Sequence, residues 1–138
     1  MQDRPTALEL LDAVQRFLEE EVVPNTEGRR SFLARVAANA IRIVGREIRT
    51  EEEQARREWD GLDTLLGPVT APASLADTRK AILARTAALC EKIREGAADE
   101  GDWRKQVLAH ARRTVRDKLA VSDPGLLERS VTKEAQRE

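Results

Sequence analysis

The stretch SFLARVAANAIRIVGREIR, residues 31–49, decides the fold class of this chain. When its residues are placed at about 100° per step, apolar side chains cover most of the circumference of a helix. A helix of that kind is typical of a protein interior, where it contacts neighbours on several sides. The stretch therefore predicts a central and largely buried helix, in which replacing Ile43 by Ala costs about 2–5 kcal/mol.

Capping signals predict further helices on either side of this stretch. Thr6 and Glu9 have the spacing of a capping box, and the helix that they open ends before Pro24. Thr50 and Glu53 repeat that spacing, which predicts a separate third helix directly after the central one.

Downstream of the glycine and prolines that follow Leu66, two more helices are expected. Ser74 with Asp77 predicts the N-terminus of a fourth helix, and Asp102 that of a fifth. The connections are short, so sequential helices should be antiparallel neighbours. We therefore predict an all-α fold, a compact antiparallel bundle of four to five helices. It forms a single domain over residues 1–125, with a frayed tail at 126–138.

Composition indicates where the protein works and what it does not bind. The chain has 138 residues, with 24 Lys and Arg against 25 Asp and Glu, so its net charge of −1 favours neither nucleic acid nor membrane binding. The single cysteine, Cys90, has no internal partner for a disulfide, which suits a reducing compartment. We also find no signal peptide and no apolar run of the roughly 20 residues that span a bilayer. These features predict a cytoplasmic protein.

Charge is segregated along the chain. Residues 1–28 carry seven acidic residues and two arginines, a net charge of −5, whereas residues 29–49 carry six arginines and one glutamate, a net charge of +5. Residues 50–66 are again acidic, and residues 103–121 are again basic. We interpret this order as pairing between acidic and basic helices, in which each exposed pair contributes about 0–1 kcal/mol.

A narrow polar stripe on the central helix is the main candidate binding site. It contains Arg35, Asn39, Arg42 and Arg46, and the same helix is preceded by Arg29 and Arg30. Guanidinium groups on adjacent turns can bind phosphate or carboxylate groups in a bidentate manner, and a helix N-terminus attracts anions. The alternative is that these arginines pair with acidic residues of the first and third helices, which the acidity of those helices favours.

The residue types that usually perform chemistry are scarce. His110, the only histidine, is expected at the edge of the apolar side of the fifth helix, within hydrogen-bonding reach of Thr114. No second histidine accompanies it for zinc, and no glutamate precedes it at the spacing of a di-iron site. Cys90 is expected to be a buried structural thiol. We therefore predict no catalytic residue, no metal and no cofactor.

Three segments resemble a known family. RPTALELLDAVQRFLEEEVVP (residues 4–24), GRRSFLARVAANAIRIVGREI (28–48) and VRDKLAVSDPGLL (115–127) are similar to a bacterial domain family of unknown function. That family is associated with genes for aminoglycoside-phosphotransferase-like kinases and acyl-CoA dehydrogenases. The resemblance implies an accessory role in acyl or CoA-linked metabolism, with one of these enzymes as a partner.

Two hypotheses for function follow. The first is a non-catalytic interaction module that docks on a metabolic enzyme. The second is a binding protein for an anionic small molecule, of phosphate or CoA type, held by the arginine stripe. We also expect a homodimer, because Leu83 and Ala87 lie beside the main apolar side of the fourth helix and would stay exposed in a single chain.

Overall fold

Helices make up the fold, as the apolar periodicity predicts. A computed structural model describes residues 3–135, with side chains described for residues 3–129. Five α-helices follow one another along the chain: α1 (Ala7–Arg16), α2 (Gly28–Leu66), α3 (Leu75–Arg94), α4 (Gly101–Ser122) and α5 (Pro124–Ala135). A π-helical segment, Phe17–Val22, continues α1, and residues 3–135 contain no strand. The prediction of an all-α fold built from packed helices is confirmed.

The second and third predicted helices form one continuous helix, so the prediction of a break at Thr50 is wrong. Helix α2 runs for 39 residues through that position. The Thr50 hydroxyl donates to the carbonyl of Arg46, 3.0 Å away, one turn earlier in the same helix. The spacing of a capping box also occurs inside helices, and no glycine or proline lies between Arg46 and Asp60 to end the helix here.

The chain divides into two compact units, with the boundary between Thr50 and Glu51 inside α2. The first unit is a helical hairpin, which contains α1, the π-helical segment and the first half of α2. Its N-terminal capping box is confirmed, because the Thr6 hydroxyl accepts from the Glu9 backbone at 3.3 Å and the Glu9 carboxylate accepts from the Thr6 backbone at 2.7 Å. Gly28, with a φ of 55°, begins α2 in a left-handed conformation that glycine adopts without strain.

The hydrophobic core lies in the second unit. It is formed where the second half of α2 meets α3 and α4, and Leu62 is completely buried. The predicted cap at Ser74 is confirmed, since its hydroxyl accepts from the Asp77 backbone at 3.1 Å. The cluster contains Ala55, Trp59, Leu62, Leu65, Ile82, Leu89 and Val107.

The expectation that residues 31–49 form the most buried helix is wrong. Its buried positions in this stretch are all small, namely Ser31, Ala34, Ala38 and Gly45. Its large apolar side chains are about half exposed, with Val36 at 49%. The hairpin supplies only one neighbouring helix, so a helix that is apolar on several sides has too few partners within this unit.

The start of α4 differs from the sequence prediction, and much of the segment predicted as a tail belongs to a helix. Helix α4 begins at Gly101 with Glu100 at the N-cap, and Asp102 lies in its first turn, where it pairs with Lys105 at 2.8 Å. The predicted tail contains α5, in which the Leu126 backbone donates to the Asp123 carboxylate at 2.9 Å. Residues 136–138 lie outside the described residues, and the single domain at 1–125 stays a prediction. Within the described residues, no helix is long and apolar enough to cross a membrane.

Candidate interaction surface

One side of the hairpin carries an extended set of exposed apolar side chains. Each of them is 44–57% exposed, although isolated leucines and valines of this kind are ordinary on protein surfaces. Here eight large residues occur within the 50 residues of the first unit. Six of them lie on one side of the hairpin at 100° per residue, and we call this set the hairpin face: Leu10, Val14, Phe17, Leu33, Val44 and Ile48.

The hairpin face is exposed because the two helices meet through small residues. The Ser31 hydroxyl donates to the carbonyl of Val23 at 3.3 Å, which identifies the side of α2 that points toward the first helix. Ala34, Ala38 and Gly45 fall on that same side at 100° per residue. Small residues allow the helix backbones to approach closely, and the larger apolar residues are left to point elsewhere.

Ion pairs occupy the opposite side of the hairpin. Arg42 lies 3.2 Å from Glu19, and Arg49 binds both carboxylate oxygens of Asp12 at 3.0 Å. The two paired residues on each helix are seven positions apart. The later residue of α2, Arg49, pairs with the earlier residue of the first helix, Asp12, so the two helices are antiparallel. At helical spacing these pairs fall on one side of the line between the helices and the hairpin face on the other, whereas Phe32 and Val36 point away from the first helix. The hairpin is therefore apolar on one side and charged on the other.

The predicted anion site falls on this charged side. Arg42 is engaged by Glu19, as the pairing interpretation predicts, and Arg46 also has an interaction partner. Arg35 and Asn39 are exposed on neighbouring turns. The structure therefore brings the stripe together on one helix face, part of it occupied by carboxylates, and anion binding stays a prediction.

Arg29 and Arg30 lie exposed at the N-terminus of α2, at the end of the hairpin where Glu19, Glu20 and Glu21 are found. Within the described residues no ion pair joins these two arginines to the three glutamates. The side chains of Asn25 and Thr26 hold the turn between the two helices. Their side chains donate to the carbonyls of Glu21, at 2.7 Å, and Val22, at 2.6 Å.

His110 is buried in the second unit rather than at the edge of a face. Its ring packs on Gly61, where a Cβ atom would lie 2.9 Å from His110 Cε1 and closer still to Nδ1. Burial lowers the pKa of His110, as does Arg113, whereas Glu58 opposes the shift. The predicted hydrogen bond to Thr114 does not form within the described residues. A cavity of about 220 Å³ opens beside the ring, also lined by Asp60, Thr64, Gln106 and Arg113.

The other candidate groups are dispersed. Cys90 is half-buried on α3 as a free thiol, and it does not line the cavity beside His110. Glu21 and Glu47, which interrupt apolar arcs of the sequence, are both exposed. Among the described residues, no group of three or more His, Cys, Asp or Glu side chains is arranged to hold a metal ion.

Two polar networks in the second unit have no clear sequence signal. Arg85 pairs with Asp63, donates to the Gly67 carbonyl at 2.8 Å and lies 4.8 Å above the Trp59 ring. Its side chain is only 13% exposed, so these contacts replace the water that it loses. In the sequence, the only indication of this network is that Arg85 lies on the otherwise apolar side of a predicted helix.

The second network joins α2 to α4. Arg57 binds Asp117 through two nitrogens, at 3.0 and 3.2 Å, and Gln54 donates to the Asp117 carbonyl at 3.1 Å. The hydrogen bond to Asp117 raises the pKa of Arg57 above its ordinary value. The pair joins the acidic segment 50–66 to the basic segment 103–121, but through an arginine of the acidic segment and the single acid of the basic one, which is the reverse of the pairing that the charge order predicts.

The surface that the sequence predicts as a dimer interface, around Leu83 and Ala87, is exposed. It lies on α3, which is the fourth helix of the sequence prediction. Leu83 is 72% exposed, and Ala87, one turn later, is exposed as well. Ile82 and Leu89, on the main apolar side of the same helix, are buried in the core. The exposed area around Leu83 is small beside the hairpin face.

Comparison with known proteins places most of the chain in one family. Searches among curated proteins and among solved structures gave no match. The family described as "Domain of unknown function (DUF6285)" matches residues 24–126, from the hairpin turn to the first residues of α5. Because that match covers well over half of the 138 residues, the chain belongs to the DUF6285 family.

Proposed function

We propose that the protein is a non-catalytic interaction module and that its hairpin face binds protein. The observation that supports this proposal is the half-exposed state of six large apolar side chains on one side of a two-helix unit. Exposed apolar area of this kind is a cost in water and is usually covered by a partner.

The fuller form of the proposal is an accessory role in which the protein docks on a metabolic enzyme. The family resemblance implies an aminoglycoside-phosphotransferase-like kinase or an acyl-CoA dehydrogenase as that enzyme. His110 is packed on Gly61 and Cys90 lies outside its cavity, which gives no support to a catalytic role for either residue.

The test is co-purification of the natively expressed, tagged protein with mass-spectrometric identification of what it retains. Val44→Glu places a charge in the hairpin face, and Leu83→Glu is the matched control at a more exposed leucine of α3. We expect wild type and the control to retain the same enzyme and Val44→Glu to lose it. Equal retention by all three proteins would remove the hairpin face from the proposal.

The alternative proposal is a binding protein for a phosphate or CoA-type anion, through Arg35 and Asn39 beside Arg42 and Arg46, both of which have interaction partners. It has less support, because Glu19 already neutralises one of the four positions. Titration calorimetry with CoA tests it directly. Binding that Arg35→Gln weakens at least tenfold would favour this function, whereas absence of heat at millimolar CoA would reject it.

A further inference from the structure

The buried imidazole of His110 borders a groove between α2 and α4. The residue is only 7% exposed, and within the described residues nothing donates to its ring or accepts from it. Surrounding atoms do not seal its nitrogens, because the ring lines the cavity of about 220 Å³ described above, which we call the His110 groove. Buried polar groups usually have a hydrogen-bond partner, so a molecule in the groove can complete the hydrogen bonding of this ring.

Gly61 makes room for the ring at this position. The imidazole occupies the space that a side chain on Gly61 would fill, so it lies close against α2. Burial lowers the pKa of His110, Arg113 adds to the shift and Glu58 opposes it. The ring is therefore neutral at pH 7, and it offers one nitrogen that donates and one that accepts.

The size of the groove limits what it can hold. Its volume of about 220 Å³ equals that of about seven water molecules in the liquid and is below the roughly 300–1,000 Å³ of pockets for drug-sized ligands. A compound of about seven to ten non-hydrogen atoms fits it. In the larger cavity, about 330 Å³ beside the start of α3, the arginine and the serine are already engaged: Arg56 pairs with Glu52 at 3.6 Å, and the Ser74 hydroxyl caps α3.

The pairing of α2 with α4 sets which groups are level in the groove. Arg57 binds Asp117 beyond its first end, and the Trp103 indole donates to the carbonyl of Leu65, 3.3 Å away, at its second end. The two helices are therefore antiparallel, with the imidazole between these contacts. Asp60 and Arg113 border the first end, and Thr64 and Gln106 border the second.

Opposite charges lie on the two walls of the first end. Asp60 of α2 and Arg113 of α4 are both exposed there, and among the described residues neither belongs to an ion pair. A lone anion bound to Arg113 would be repelled by Asp60, and a lone cation bound to Asp60 would be repelled by Arg113. A compound that carries both charges can bind the carboxylate and the guanidinium at once.

Neutral polar groups border the second end. The Thr64 hydroxyl donates to the Asp60 carbonyl at 3.0 Å, so its oxygen is left to accept, and the Gln106 amide can both donate and accept. This end therefore suits an uncharged polar group.

We propose that the His110 groove binds a free amino acid with a polar, uncharged side chain. The carboxylate of the ligand binds Arg113, its ammonium group binds Asp60, and the His110 ring hydrogen-bonds to it between them. Its side chain extends toward Thr64 and Gln106. Glutamine, at about ten non-hydrogen atoms, has the required size and polarity. This binding function goes beyond the hairpin face, which belongs to the first unit, and does not depend on it.

The single histidine gives a direct test in the full chain. Because His110 is the only histidine, its Hε1 proton gives one isolated signal in the NMR spectrum of the untagged protein. We expect L-glutamine at millimolar concentration to shift this signal in a saturable manner. Acetate, ethylamine and L-leucine, which lack the ammonium group, the carboxylate and the polar side chain in turn, should each bind at least about tenfold more weakly.

Calorimetric titration with L-glutamine tests the two walls. We expect Arg113→Gln and Asp60→Asn each to weaken binding at least about tenfold. Arg112→Gln, a matched change at the neighbouring arginine outside the groove, should leave binding unchanged. Both wall residues are exposed, so the variants should melt near the wild-type temperature.

Three results would overturn the proposal. The first is a His110 signal that L-glutamine does not shift even at tens of millimolar. The second is acetate that binds as tightly as L-glutamine, which would indicate a simple anion site at Arg113. The third is an equal loss of binding in Arg112→Gln, which would exclude the groove as the site. Val44→Glu, in the hairpin face, should bind L-glutamine as wild type does, so failure of this proposal and failure of the proposed function are measured separately.

Discussion

His110 is the residue whose environment differs most from its sequence expectation. It is the only histidine. The sequence predicts it at the edge of the apolar side of α4, but its ring is buried against Gly61 of α2. The inward side of α4 runs through Trp103, Val107 and His110, whereas Val115, farther along the same helix, is 54% exposed. The imidazole is thus part of the packing between α2 and α4, and two predictions follow from that position.

The first prediction concerns pH. Burial lowers the pKa of His110 below its ordinary 6.5, so the unfolded chain binds the proton at higher pH than the folded chain does. The stabilisation is therefore fully present above about pH 6.5 and is lost as the pH falls toward the lower folded pKa. We expect the melting temperature of wild type to fall as the pH is lowered through about 6.5, and this part of the fall to be absent in His110→Gln. Parallel curves for the two proteins would contradict the prediction.

The second prediction concerns Gly61. In a helix interior, Ala is normally favoured over Gly by about 1 kcal/mol, but here the Cβ would meet the His110 ring. Gly61→Ala should therefore destabilise the wild type by about 1–3 kcal/mol, and in a His110→Ala background it should be neutral or stabilising. Urea denaturation of the four proteins of this double-mutant cycle measures the difference. Equal effects in both backgrounds would show that the ring is not the obstacle.

At the scale of elements, the same sequence pattern has different outcomes in α1 and α2. Thr6 and Thr50 both precede a glutamate by three residues. Thr6 follows a proline and becomes a true N-cap. Thr50 lies among good helix formers, and its hydroxyl bonds back to Arg46 inside the helix.

This contrast predicts opposite effects of two identical substitutions. Thr6→Ala removes a cap and should cost about 0.5–2 kcal/mol, whereas Thr50→Ala should be neutral or stabilising by up to about 0.6 kcal/mol, because Ala is the better residue in a helix interior. Chemical denaturation monitored by circular dichroism compares the two variants. A larger loss for Thr50→Ala would indicate a break in α2 at this position.

At the scale of the whole molecule, the large buried apolar side chains lie in the second unit. The large apolar side chains of the first unit are about half exposed. Leu62 is completely buried and Leu83 is 72% exposed. Leu62→Ala should cost about 2–5 kcal/mol, whereas Leu83→Ala should stay within about 0.5 kcal/mol of wild type. Thermal melting of both variants measures this. A small loss for Leu62→Ala would contradict a core centred on α2, α3 and α4.

Sequence alone determined the helical class, the caps at Thr6 and Ser74 and the segregation of charge, because these depend on interactions within a few residues of each other. The sequence did not determine the continuity of α2, since the residue spacing of a capping box also occurs inside helices. Only tertiary structure decided which apolar residues are buried. Helical periodicity identifies an apolar side, but burial depends on how many neighbours the fold supplies. Residues 51–107 have those neighbours, whereas the stretch 31–49 meets a single helix through its small residues and keeps its larger ones exposed.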